Sequence, residues 1–176
     1  MFISNGKDRL VLIFPTLGIV VKVAKVRIIR LLQVGFTSKI YWSSDLSVWS
    51  LGGWKKLLFK GIAVNWNEFT FYRRKHILFL QPTYFSFFGF FNIQKFGKPL
   101  SLSEEVFKKF LLKSFSFVEL QYTVRDGHHF TNPANFCVTS GRVRVLDYGS
   151  PNTRRWIEIL GEKFYEKFDP DKLPAE

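Results

Sequence analysis

Two apolar segments near the start of the chain predict a β-hairpin. Residues 9–14 and 18–26 are rich in β-branched and aliphatic side chains, and the short stretch between them contains Pro15 and Gly18. Apolar runs separated by such a loop are typical of paired antiparallel strands. We therefore expect the chain to begin with a small antiparallel sheet.

The middle of the chain alternates between helical and extended patterns. Over residues 62–76 apolar and aromatic side chains recur at helical spacing, which predicts an amphipathic helix. Two short strands are predicted next, near Tyr84–Phe88 and Phe90–Lys95. The preceding segment, about 31–60, has no clean period, and we interpret it as an irregular or partly helical insertion.

The second part of the chain shows two helical signals around a hairpin signal. Ser101 and Glu104 form a capping-box pattern that predicts the start of a helix. Over residues 136–146, valines alternate with arginines after Gly141, which indicates two strands joined by a tight turn. A last helix is predicted over about 153–168.

The open end of this predicted hairpin carries candidate metal ligands. Asn135 comes just before the first strand and Asp147 just after the second, so both are expected at the same end. A neighbouring amide oxygen and carboxylate suit a hard cation such as Mg²⁺. The same residues are also common in strand-end turns, with Gly149 following, and the spacing alone leaves both interpretations open.

Positive charge is concentrated in one part of the chain. The first 100 residues hold 15 Lys and Arg against three acids, Asp8, Asp45 and Glu68, whereas residues 101–176 hold 11 of each sign. Such asymmetry points to an anionic partner or surface. The single cysteine, Cys137, excludes an internal disulfide, and with only three histidines a structural zinc site is excluded too.

Membrane insertion is not expected from the sequence. The apolar run over residues 10–21 has 12 residues and contains proline and glycine, whereas a spanning helix needs roughly 20 apolar residues. Polar residues interrupt the Phe-rich stretch 77–93, which we interpret as buried strands. The first residues lack the basic-then-apolar order of a signal peptide. We expect no transmembrane segment and a cytoplasmic location.

One segment resembles a known catalytic motif. His128-His-Phe-Thr-Asn-Pro-Ala-Asn135, followed twelve residues later by Asp147-Tyr-Gly149, resembles the H-R-D-x-x-x-x-N and D-F-G segment of the protein-kinase-like superfamily. The spacing agrees, and so does the proline at position 133. The resemblance implies that ATP and Mg²⁺ bind here, with Asn135 and Asp147 holding the metal that bridges the nucleotide phosphates.

The resemblance also implies a strand lysine that is paired with a helix glutamate. Val20-Val-Lys22 and Val23-Ala-Lys25 are both similar to the V-A-I-K strand of the family. Lysines three apart on a strand face opposite sides, so only one can point inward. We favour Lys22, because it lies nearer the hairpin turn and is flanked on both sides by apolar residues. We pair it with Glu68, because an unpaired carboxylate among aromatic residues would be costly to bury. Lys25 remains the alternative candidate for the phosphate-binding lysine. Lys22 could also be an ordinary strand lysine whose side chain is exposed to solvent.

The order of elements extends the resemblance towards a nucleotide-binding hinge. In the family the glutamate helix is followed by two strands and then by the segment that cradles adenine. Here that segment corresponds to Gln94, Lys95 and Phe96, whose backbone groups would make the contacts. The implied catalytic set is Lys22, Glu68 and Asp147, and Lys25 would border the phosphates.

The fold implied by the resemblance is α+β. A basic small lobe with an antiparallel sheet and one key helix would occupy residues 1–100, including the insertion at about 31–60. A truncated, mostly helical second lobe would occupy residues 101–176, with the catalytic-loop-like segment 128–149 and a C-terminal helix. We expect a protein partner or a second copy to cover apolar surface near 150–168.

Three departures from the family favour a reduced kinase-like protein, or pseudokinase. Phe130 stands where the catalytic aspartate is expected, and phenylalanine cannot accept a proton. No G-x-G-x-x-G precedes Lys22, and only 27 residues follow Gly149. We therefore expect phosphotransferase activity to be weak, atypical or absent. The side chains that could replace the missing base are His128, His129, Asn132 and Asp126.

A basic adaptor is the alternative function. Tryptophans are interleaved with basic residues in the first 100 positions. Basic side chains could bind nucleic-acid phosphates or an acidic protein, and exposed aromatic rings could stack on single-stranded bases. Core packing of the tryptophans is the competing interpretation, and a membrane-surface role for Arg27, Arg30 and Lys39 is a weaker third possibility. The residues concerned are Trp42, Trp49, Trp54, Trp66, Lys55, Lys56, Lys60, Arg73 and Arg74.

Overall fold

A computed structural model of the chain describes residues 1–6, 8–26, 53–116 and 132–167. Phe130, the rest of 128–131 and most of the proposed insertion lie outside the described residues. The described part is α+β. Its elements are β1 (Phe2–Asn5), β2 (Arg9–Phe14), β3 (Ile19–Ala24), α1 (Gly53–Lys75), β4 (Thr83–Phe87), β5 (Phe91–Lys95), β6 (Lys98–Pro99), α2 (Glu104–Ser114), β7 (Phe136–Thr139), β8 (Arg142–Val145) and α3 (Pro151–Lys167).

The first sheet is antiparallel and has the strand order β1-β2-β3-β5-β4. The predicted hairpin between β2 and β3 is confirmed. A 3₁₀ turn over Pro15–Leu17 joins the strands, and Gly18 follows it with a φ of 65°, a conformation that glycine adopts without steric cost. β1 was not predicted, because all four of its residues are exposed and no buried alternation marks it.

The helix α1 is longer than its pattern predicted. It begins at Gly53, so residues 53–60 of the proposed insertion are helical. The glycine pair in the sequence at 52–53 indicates a loop, and this hid the start of the helix. The helix ends at Lys75, and His76 follows it with a φ of 51°.

The predicted capping box of α2 is wrong by two residues. The N-cap is Ser103, whose hydroxyl accepts a hydrogen bond from the amide of Val106 at 3.3 Å. Glu104 therefore opens the first turn instead of closing a box with Ser101. Its negative charge is favourable there, because the first turn of a helix has unpaired amide groups and a partial positive charge.

The second sheet has the order β6-β7-β8. The hairpin predicted around Gly141 is confirmed, and its two turn residues, Ser140 and Gly141, have φ values of 54° and 71°, as a two-residue hairpin turn requires. β6 (Lys98–Pro99) pairs with β7, so the second sheet begins just before the expected boundary at residue 100. The described part of 101–176 contains two helices beside this sheet.

An aromatic core joins the end of α1, the helices α2 and α3, and the β7–β8 hairpin. Phe79 stacks on Phe164 with ring centroids 5.8 Å apart, and Phe107 contacts Phe136 at 5.1 Å. All four rings are buried. None of the helices within the described ranges is both long and apolar enough to cross a membrane.

Candidate functional site

Four charged side chains form a continuous chain of ion pairs, which we call the charge cluster: Lys22, Glu68, Arg9 and Asp147. Lys22 Nζ lies 3.1 Å from Glu68 Oε2, and Arg9 Nη1 lies 2.8 Å from Glu68 Oε1. Arg9 Nη2 lies 2.9 Å from Asp147 Oδ1. The predicted pairing of Lys22 with Glu68 is confirmed.

The charge cluster is buried except at one end. Glu68 is fully buried, whereas Lys22 is 5% exposed and Arg9 is 9% exposed. The Asp147 side chain is 29% exposed. Buried charges are tolerated only when they are paired, and here two cations meet two anions. The cluster is therefore neutral as a whole and reaches solvent at Asp147.

The first sheet places the two cations on one face. Val11 lies directly opposite Lys22, and Lys22 lies opposite Asn92. Directly opposed residues of antiparallel strands point to the same side, and so do residues two apart on one strand. Arg9, two residues before Val11, therefore shares the face of Lys22, as does Gln94, two residues after Asn92. The four polar side chains that these pairings place on this face, those of Arg9, Lys22, Asn92 and Gln94, are buried.

Two asparagines fasten α1 over this face. Asn65 Nδ2 donates to the carbonyls of Lys22 and Gly89, both at 3.0 Å. Asn92 Nδ2 donates in return to the carbonyl of Asn65 at 2.7 Å. Glu68 lies three residues after Asn65, on the same side of the helix. The paired asparagines therefore hold the Glu68 carboxylate against Lys22.

The β7–β8 hairpin delivers Asp147 to the charge cluster. At its open end the amide of Leu146 donates to the carbonyl of Asn135 at 2.7 Å. The Leu146 carbonyl accepts from Lys22 Nζ at 2.7 Å and from Gln94 Nε2 at 3.3 Å. Asn135 and Asp147 are thus brought to the same end of the hairpin, as predicted, and the Lys22 ammonium group also anchors that end.

The two residues after Asp147 lock its position. The Tyr148 hydroxyl donates to the carbonyl of Gln81 at 2.8 Å and lies 2.7 Å from Thr83 Oγ1. Gly149 packs so closely on Val64 of α1 that a Cβ atom would overlap the valine side chain. A larger residue at 149 would therefore push the Asp147 segment away from α1.

Burial and charge act in opposite directions on the cations. Burial lowers the pKa of Lys22 below its ordinary value, although the Glu68 carboxylate acts to raise it. Burial would also lower the pKa of Arg9, but Glu68 and Asp147 together raise it above its ordinary value. Arg9 is therefore a permanent cation that joins two carboxylates.

Lys25 is not brought to the charge cluster. Its Nζ donates to Asn5 Oδ1 and, at 2.6 Å, to the carbonyl of Gly6. The side chain therefore lies towards β1, while Lys22 points under α1. Of the two lysines that resemble the family's strand lysine, the structure places only Lys22 next to Glu68.

The hinge residues also differ from the expectation. The amides of Lys95 and Phe96 donate to the carbonyls of Pro82 and Gly18, both at 2.8 Å. The Lys95 carbonyl accepts from Gln81 Nε2 at 2.7 Å. These backbone groups are engaged within the protein, so the arrangement gives no support to adenine contacts there. Gln94 joins the charge cluster through its side chain instead, by its bond to Leu146.

Sequence reasoning missed Arg9. It stands at the edge of an apolar run and counted only as part of the basic excess. The alternation of side chains along a strand could have indicated its position. Arg9 and Val11 are two residues apart and share a face, and Val11 pairs with Lys22, so Arg9 lies on the same face as Lys22. That signal needs the hairpin register, which the loop composition alone does not determine.

Asp147 and its surroundings are a poor fit for Mg²⁺. Its Oδ1 atom already faces the Arg9 guanidinium, so a dication at Asp147 would have to share the carboxylate with a neighbouring cation that repels it. Across the described residues, no group of three or more His, Cys, Asp or Glu side chains could hold a metal ion. The carboxylate that the resemblance assigns to Mg²⁺ is therefore already paired with the Arg9 guanidinium.

Comparison with known proteins found no matching family model, no matching curated protein and no matching solved structure. The geometry of the charge cluster is therefore the main indication of function.

Proposed function

We propose that the protein is a reduced kinase-like module that binds ATP at the charge cluster, with little or no phosphoryl transfer. The observation that carries the proposal is the meeting of Lys22, Glu68 and Asp147. They come from β3, from α1 and from the segment after β8, and the resemblance singled out the same three residues. Phosphoryl-transfer sites depend on positioning and charge neutralisation, which these groups can supply.

The chemistry of the site suits a polyphosphate better than a neutral ligand. The cluster contains two cations, of which Arg9 lies beside Asp147 at the solvent-facing end and Lys22 lies deeper, against Glu68. Arginine and lysine are the usual partners of phosphate oxygens. The phenylalanine at position 130 supplies no base for a substrate hydroxyl, which is why binding is proposed without efficient transfer.

A matched pair of lysine variants tests this proposal. ATP should raise the melting temperature of the wild-type protein by about 5 to 10 °C at a hundredfold excess over its dissociation constant. Lys22→Met should abolish the shift, and Lys25→Met, which removes a lysine from the other face of the same segment, should keep it. The variants must first be shown to fold by circular dichroism. No shift in the wild type, or equal shifts in both variants, would overturn the proposal.

An exposed aromatic surface favours nucleic-acid binding as a second candidate function. Trp66 is 42% exposed and lines a shallow recess of about 280 Å³ together with Phe59, Ile62, Ala63 and Phe88. Trp42 and Trp49 lie outside the described residues. Exposed rings can stack on single-stranded bases. Salt-sensitive retention of single-stranded RNA on a filter, weakened by Trp66→Ala, would support this function, and no retention would remove it.

A further inference from the structure

We propose that the outer face of the first sheet docks on the surface of an anionic lipid bilayer. The outer face is the face that points away from Lys22 and from the helix α1. This inference goes beyond ATP binding and does not depend on it, because the Lys22–Glu68 pair of the charge cluster lies on the opposite side of the sheet.

Apolar side chains make up the outer face. Val21 precedes Lys22 in β3 and therefore points to the other side of the sheet. Val21 lies opposite Leu12 and Ile93, and Ile93 lies opposite Phe85, so the four form an apolar row across four strands. None of the four is buried, and the aromatic core includes none of them. The sheet thus has polar side chains beneath α1 and an apolar outer face, the reverse of the usual one-sided antiparallel sheet.

One end of the outer face is aromatic. Phe87 stacks on Phe91 with ring centroids 5.6 Å apart, and the Phe85 ring lies 6.0 Å from that of Phe91. Phe85 is 46% exposed and Phe87 is 48% exposed. A continuous exposed apolar patch marks a surface that binds a protein or a membrane. Phenylalanine and leucine are typical of surfaces that insert into the interface of a bilayer.

Charge favours a lipid surface as the occupant. Lys25 directly follows β3 at one end of the outer face, and Lys95 closes β5 at the other end, opposite Ile19. Within the described part of residues 1–100 the acids are Asp8 and Glu68, and each is held in an ion pair. The outer face therefore has an apolar centre with lysines at its two ends and no competing carboxylate. This arrangement complements a bilayer with anionic headgroups.

The same charges argue against a second copy of the chain as the occupant. Two outer faces packed together would bring their lysines close to one another. The first 100 residues also carry 15 Lys and Arg against three acids, and like charges of this kind oppose self-association.

Vesicle sedimentation tests the proposal. The wild type should partition about tenfold more strongly onto vesicles of phosphatidylserine mixed with phosphatidylcholine than onto pure phosphatidylcholine vesicles, and high salt should weaken the stronger binding. Phe85→Ser/Phe87→Ser should weaken it about tenfold, because both half-exposed rings are lost from the bilayer contact. Phe59→Ser removes a ring of α1 that is 43% exposed, and this matched control should sediment like the wild type.

Circular dichroism checks the fold of each variant, and the comparison of the two vesicle types needs only the wild type. Equal partitioning of the wild type onto both vesicle types would overturn the proposal, and so would equal losses in Phe59→Ser and in the double variant. Absence of sedimentation would overturn it as well. A dimer in analytical ultracentrifugation that the double variant abolishes would then assign the outer face to a second copy. ATP binding by these variants should be unchanged, so either proposal can fail without the other.

Discussion

Replacing Glu68 with glutamine should destabilise the protein strongly. Glu68 is fully buried and contacts Lys22 at 3.1 Å and Arg9 at 2.8 Å. Without its charge, two buried cations would share Asp147 as the only carboxylate of the cluster. Removing one partner of a buried ion pair costs about 3 to 5 kcal/mol. In a chain of this size that lowers the melting temperature by about 6 to 20 °C.

The assay compares this variant with a matched change on the surface. Glu105→Gln removes an equally sized carboxylate that is 78% exposed and pairs with Lys109 at 2.9 Å, so it should cost less than about 1 kcal/mol. Urea unfolding followed by tryptophan fluorescence gives both free energies. The double variant Lys22→Met/Glu68→Gln should recover part of the loss, because it also removes a stranded ammonium group. If Glu68→Gln and Glu105→Gln were equally stable, the charge cluster would not be the buried network described above.

Three further changes test other parts of the structure. Burial raises the pKa of the Cys137 thiol to about 11, so disulfide reagents at pH 8 should modify the folded protein at least tenfold more slowly than the urea-unfolded chain, and equal rates would contradict this burial. Because the thiol of the unfolded chain ionises first, the contribution of the protonated Cys137 to the free energy of unfolding should be complete below pH 9. That free energy should fall by up to about 3 kcal/mol as the pH rises to 11. Gly149→Ala should lower the free energy of unfolding by about 1 to 3 kcal/mol, because the new methyl group would overlap Val64. Gly141→Ala should cost less, because the space there is open and only the φ of 71° is unfavourable. If denaturant unfolding gave the reverse order, the close packing at Gly149 would be refuted. Tyr148→Phe should cost about 1 to 3 kcal/mol, because the buried hydroxyl bonds a buried carbonyl, and an unchanged melting temperature would argue against that bond.

Local sequence patterns predicted the elements that carry the site. The β2–β3 hairpin and the β7–β8 hairpin both follow from apolar alternation and turn residues, which act over a few positions. The Lys22–Glu68 pair could also be predicted, because acids are scarce in the first 100 residues and a carboxylate in an aromatic helix needs a cation. These are short-range rules or rules of charge balance, and they need no knowledge of the packed structure.

Arg9 and Gln94 could not be assigned in the same way. The role of Arg9 depends on the strand register and on the distance between β2 and the segment after β8, both of which are set by tertiary packing. Gln94 was predicted as a backbone ligand, yet its buried side chain bonds Leu146. Whether a strand side chain is buried in the charge cluster depends on which face of the sheet α1 covers. Contacts such as the hydrogen bond between Asn92 and the Asn65 carbonyl determine that face.

The central claim is that ATP binds at the charge cluster, and one calorimetric titration tests it most directly. ATP is titrated into the wild type, Lys22→Met and Lys25→Met under identical conditions, once in EDTA and once with excess Mg²⁺. The account predicts saturable binding of one ATP per chain in the wild type and in Lys25→Met, and at least tenfold weaker binding in Lys22→Met. Equal binding by all three proteins, or none by the wild type, would contradict it.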